Sequence, residues 1–77
     1  MNKVRVGSLY VYEPVAMDRL YPPVGAPQPG QTVRVVNLPG APKANVMNHC
    51  YITSKDKMVF LGLCHVNSLH KVMKNGL

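Results

Sequence analysis

Two apolar, β-rich runs, residues 46–53 and 58–66, flank a polar Ser54-Lys55-Asp56-Lys57 turn. Runs of that length and composition around such a turn read as an antiparallel hairpin. A short Asn67-Ser68-Leu69-His70 turn follows, and then an apolar pair, Val72 and Met73, that reads as a final short strand. The last third of the chain therefore commits it to antiparallel β-structure.

The rest of the chain supplies the missing strands. Residues 3–13 read as the first: Val4 and Val6 share one face, and Leu9 and Val11 share a face of opposite parity. Gly7-Ser8 sits where the phase changes, as expected of a bulge or bend. Tyr10 and Tyr12 then project away from the apolar face, and Pro14 ends the strand because it cannot donate to a ladder. Residues 14–30 hold Pro14, Pro22, Pro23, Pro27 and Pro29. So many prolines predict a loop without a helix and lower its unfolded entropy. Within it, Met17-Asp18-Arg19-Leu20-Tyr21 is placed to make a turn that docks on the sheet. Residues 31–37 are the second strand, with Val33 and Val35 on one face and Thr32, Arg34 and Val36 on the other. Residues 38–45 form a second loop, punctuated by Pro39-Gly40 and Pro42, with Lys43 near its tip. Asn67 or Ser68 is the expected cap of the turn after the hairpin, and Gly76 a plausible terminator.

A chain of 77 residues holds one domain. At this size only about 60% of the unfolded surface is buried, so stability is marginal and self-association is a common remedy. Apolar residues on both faces of the hairpin point the same way, to a homo-oligomer. The longest apolar runs fall short of the roughly 18 residues needed to cross a membrane. The start, Met1-Asn2-Lys3-Val4-Arg5, lacks the apolar core of a signal peptide. The expectation is a cytoplasmic protein whose cysteines are free thiols. Nine Lys and Arg face only Glu13, Asp18 and Asp56, a net charge of +6. Such an excess favours anionic partners, nucleic acid or nucleotides among them.

His49-Cys50 and Cys64-His65 are residue types that bind zinc. Neighbours on a strand point to opposite faces, however, so His49 and Cys50 do not converge. A two- or four-residue loop between Thr53 and Met58 would pair Cys50 with Leu61 and His49 with Gly62. Cys50 then joins Ile52, Val59, Leu61 and Leu63 on the core face, and Cys64 joins His49, Tyr51, Met58 and Phe60 on the other. A one-residue slip would bring both cysteines to one face. Two packed thiols are the expectation, with neither metal nor disulfide. Cys64 and His65 are sequence neighbours, which does not set up a nucleophile and base on a strand. No catalytic residue and no cofactor is assigned, and the chain is expected not to be an enzyme.

The strand order, the long loop, three strands with short connections and the closing Asn67-Ser68-Leu69-His70-Lys71-Val72 segment resemble SH3-like barrels over most of the chain. The resemblance implies an all-β fold: a small five-stranded SH3-like barrel with a long Pro-rich loop and one short helical turn. The ending is also similar to that of plasmid-borne dihydrofolate reductases, which are homotetramers around a central pore. Their Val-Gln-Ile-Tyr active-site run is replaced here by Val59-Phe60-Leu61-Gly62, so no catalytic residue carries over. In style the chain resembles the compact accessory proteins of bacteriophages and mobile elements.

Small barrels bind nucleic acids by stacking bases on aromatic side chains beside a positive groove. Tyr10, Tyr12 and Tyr51 lie on strands, with Arg34, Arg5 and Lys3 near by topology. Arg34, Tyr10, Tyr12, Tyr51, His49, Lys43, Lys55 and Lys57 are therefore the expected ligand-binding set, for nucleic acid or a nucleotide-like anion. The alternative is a protein–protein modulator, such as a phage-encoded inhibitor or accessory subunit, using the proline-rich loop and the hairpin's outer face.

Overall fold

The computed structural model describes residues 4–38 and 48–72. Lys3, Lys43, the Pro39-Gly40 turn, Met73 and Gly76 lie outside them. The strands are β1 (Leu9–Tyr12), β2 (Thr32–Val36), β3 (His49–Ser54), β4 (Phe60–His65) and β5 (Leu69–Lys71), with a helix α1 (Ala16–Leu20) and a 3-10 turn (Val66–Ser68). All pairings are antiparallel, and the strands form one sheet in the order β4-β3-β2-β1-β5. The domain is all-β, and β4 and β5 remain the two edges of an unclosed sheet.

The core face alternates as a half-buried sheet should. Val33 and Val35 point inward from β2, as their spacing predicts, and leave Thr32, Arg34 and Val36 half-exposed. They meet Ile52, Leu61, Val66, Leu69 and both cysteines.

In β1 the parity is the reverse of expectation. Tyr10 and Tyr12 are buried, and Leu9 and Val11 are half-exposed. The Gly7 turn (φ 91°) resets the phase: Gly7 N–H donates to Val35 O and Val35 N–H to Ser8 O, so regular strand begins only at Leu9. Tyr10 then lies opposite Val33 and Tyr12 opposite Leu69, both inward residues. A tyrosine ring removes more apolar surface from water than Leu or Val, provided its hydroxyl finds a partner. The Tyr10 hydroxyl accepts the Arg5 N–H at 2.8 Å.

The proline-rich loop contains a helix after all: α1 occupies the proline-free stretch between Pro14 and Pro22. The loop then runs along the free edge of β4, where Gly25 N–H donates to Leu61 O at 2.9 Å. A Cβ on Gly25 would lie 2.6 Å from Leu61 Cα, so only glycine permits this approach. An open edge invites pairing with another chain, and covering it with a loop is a recognised defence.

The hairpin register also differs from expectation. Ser54 N–H donates to Val59 O, which makes the loop Lys55–Met58. Within it the Asp56 carboxylate accepts the Ser54 hydroxyl at 2.7 Å and the Met58 N–H at 3.0 Å. These bonds hold the Asp56 carboxyl below the usual carboxylate range. Beyond Thr53–Phe60 the ladder slips past Leu61, and Ile52 pairs with Gly62. Gly62 has φ 112°, a conformation that suits a bulge and a residue without Cβ. The chain then pairs Tyr51 with Leu63, Cys50 with Cys64 and His49 with His65. Cys64 thus belongs to the core, while Val59 and Leu63 are exposed.

Past the hairpin, the cap of the 3-10 turn is His65, whose Nδ1 accepts the Asn67 N–H at 3.0 Å. The final strand is Leu69–Lys71 and ends before the expected apolar pair begins at Val72.

Candidate functional site

One outer surface gathers much of what the sequence singles out. Tyr51 lies between Val36 of β2 and Leu63 of β4. Its ring and that of Phe60 are tilted at 6.2 Å between centroids. His49 and His65 face each other on the next rung, edge to face at 5.3 Å. Phe60 is 44% exposed, Leu63 41% and Met58 79%, so this is an aromatic and aliphatic surface open to solvent. Lys55 and Lys57 stand on the turn at the hairpin tip, both exposed. Phe60 stands on this face as its alternation with His49 and Tyr51 predicts, although the expected binding set omits it. Leu63 and His65 join the face because the bulge sets their phase, and local spacing does not place a bulge, so the expected set lacks them.

Arg34 faces outward, as parity requires, but its donors are partly engaged. Nε donates to Lys55 O at 3.0 Å and Nη1 to Gly7 O at 2.6 Å. The side chain ties the Gly7 turn to the hairpin tip. It lines a shallow groove with Gln31, Thr32, Ser54, Lys55 and Asp56, where an acid offsets part of the positive charge. Tyr10 and Tyr12, expected as stacking residues, are core. Burial first, with Asp18 and Cys64 nearby, pushes the Tyr12 hydroxyl up to about 12. The structure brings Tyr51, His49, Lys55, Lys57 and Arg34 to one side of the sheet and leaves the two tyrosines of β1 on the other.

The histidines and cysteines form two cross-strand pairs on opposite faces, His49–His65 outward and Cys50–Cys64 inward. Among the described residues, no group of three or more His, Cys, Asp or Glu is placed to hold a metal. A metal-binding histidine ordinarily donates its other ring N–H. His65 Nδ1 accepts instead, which leaves the proton of the neutral ring on Nε2.

Asp18 has the least expected role. It is buried on α1 and accepts the main-chain N–H of His65 at 3.1 and 3.3 Å, not its ring. It also accepts the Ser68 hydroxyl at 2.5 Å, while Ser68 Oγ accepts the Val15 N–H at 3.0 Å. This network locks the loop onto β4 and the 3-10 turn. Its bonds span 47 to 53 residues, so no local pattern announces it.

Comparison with models of protein families, with curated proteins and with solved structures finds no match. Among the described residues, no helix is long and apolar enough to cross a membrane.

Proposed function

We propose that this chain is a non-enzymatic cytoplasmic binding module on an SH3-like barrel, and that it binds single-stranded nucleic acid through the outer face of β2, β3 and β4. One observation carries the reading. The Tyr51–Phe60 pair, with Phe60 exposed and Tyr51 half-buried, lies on a sheet face whose tip bears Lys55 and Lys57, in a chain of net charge +6. Bases stack on exposed aromatic rings whatever their sequence, and lysines follow the phosphates. The His49–His65 pair extends the stacking surface by one rung. Arg34 contributes positive potential more than a free fork, because two of its nitrogens serve the fold.

Fluorescence anisotropy with a labelled single-stranded oligonucleotide tests this. Binding should weaken steeply with salt. Phe60→Ala or Tyr51→Ala should each cost about 1–3 kcal/mol of affinity with the fold retained. Absence of binding at low salt would refute the reading.

A protein partner is the second reading, favoured by the exposed aliphatic Leu63 beside Tyr51 and Met58 at the hairpin tip. A second copy of the chain is one such partner, and sedimentation equilibrium reports it. That interface should be nearly indifferent to salt.

A further inference from the structure

The Cys50–Cys64 pair is a feature that the binding reading leaves unused. Val66 N–H donates to Asn48 O at 2.8 Å. Bonded pairs alternate along an antiparallel ladder, so Cys50–Cys64, two residues further in, is a bonded pair with Cα atoms about 5.5 Å apart. Disulfides span Cα separations of roughly 4.4–6.8 Å. Both side chains point inward on one rung, and the chain contains no third cysteine to compete. From these placements we propose that Cys50 and Cys64 are a peroxide-oxidisable dithiol that closes to an intrachain disulfide, with Cys50 reacting first.

The order follows from access and from the contact between the sulfurs. Cys50 is 8% exposed and Cys64 is 0% exposed, so an oxidant arriving from solvent meets Cys50. The Cys64 S–H donates to the Cys50 sulfur, which favours Cys50 as thiolate and lowers its pKa despite burial. The same bond, then burial and the nearby Cys50 and Asp18 charges, keeps Cys64 protonated. Thiolate character and access are what make a cysteine reactive.

The chemistry balances with a hydroperoxide as oxidant. The Cys50 thiolate attacks one oxygen of hydrogen peroxide, the O–O bond breaks, and Cys50 sulfenic acid and hydroxide form. The Cys64 sulfur then attacks the Cys50 sulfur. The S–S bond forms as the S–O bond breaks, and the Cys64 proton ends in water. Two thiols lose two electrons, and the peroxide becomes two waters. A reducing thiol reverses the change by exchange.

The test uses the reduced full-length chain under native conditions. After brief exposure to hydrogen peroxide, intact-mass measurement should show loss of two hydrogens. Peptide mapping should show a Cys50–Cys64 link within one chain, reversed by dithiothreitol. In Cys64→Ser, dimedone should trap a sulfenic acid at Cys50, whereas in Cys50→Ser the Cys64 thiol should stay unmodified over the same time. If a serine variant does not fold, limited N-ethylmaleimide labelling of the native wild-type chain decides the order. Cys50 should label at least about ten-fold faster than Cys64. Equal labelling, Cys64 labelling first, links between chains, or no oxidation where the urea-unfolded chain does oxidise would each overturn the proposal.

Discussion

Replacing Asp18 should loosen the whole loop from the sheet. Its carboxylate is buried and accepts from two groups, the His65 N–H and the Ser68 hydroxyl. Hydrogen bonds to a charged acceptor contribute about 1.5–3 kcal/mol each. Asp18→Ala leaves the buried Ser68 hydroxyl and the half-buried His65 N–H without this acceptor, against which stands the relief of no longer burying a carboxylate. A net loss of about 3 kcal/mol is expected. Domains of this size are stable by about 4–12 kcal/mol, so the loss is a large fraction of the whole. It corresponds to a fall in Tm of about 12–24 °C. Asp18→Asn should cost nearly as much, because its NH2 group adds a donor where two donors already converge.

Urea melts followed by circular dichroism measure this, with the midpoint shifting at constant slope. Ser68→Ala should cost about 1–2 kcal/mol, since it also strands the Val15 N–H. The double variant should lose less than the sum of the singles, by 1 kcal/mol or more on the order of coupled neighbours. Faster exchange confined to the His65 amide and the α1 region would locate the effect. A loss below about 1 kcal/mol for Asp18→Ala would refute the claim that this network holds the loop.

Other expectations follow from the same geometry. Gly62→Ala should destabilise the fold by about 2 kcal/mol or more, because φ is 112° and its Cβ would lie 2.8 Å from Val24 N; a denaturant melt shows it. Arg34→Ala should lower Tm by releasing the Gly7 and Lys55 carbonyls, an effect of about 1–3 kcal/mol, so any loss of ligand affinity must be judged against the variant's folded fraction. Asp56 is depressed in the fold, so its stabilisation is present above the unfolded carboxylate value and is lost as pH falls through the folded one. The stability gap between wild type and Asp56→Asn should therefore close below about pH 4. Tyr12 is raised to about 12, so the folded state keeps its proton where the unfolded chain loses it. Stability should fall as pH rises from about 10 to 12, and that share of the fall should be missing in Tyr12→Phe.

What the sequence made legible follows a physical division. Period-two patterns placed the first four strands, the hairpin and the inward Val33 and Val35, because alternation is a local consequence of the pleat, whereas the fifth strand, expected at Val72 and Met73, forms at Leu69–Lys71. It failed where one residue resets the phase. Gly7 inverted β1 and turned two expected binding tyrosines into core. The Leu61–Gly62 bulge moved Cys64 inside and Leu63 outside. In both cases a glycine at positive φ stands at the change, but such a glycine signals a break without saying how many residues the ladder skips. The skip is decided by what it buries. With the slip, Leu61, Cys64, Cys50 and Ile52 all reach the core, and the carbonyl of Leu61 meets Gly25 on the covering loop. Without it, Leu63 would take the place of Cys64 inside, and the outer face would lose an aliphatic neighbour of Tyr51. The bulge therefore couples packing to the candidate site. The same one-residue skip that pairs the cysteines inside also sets Leu63 beside Tyr51 and His65 opposite His49 outside.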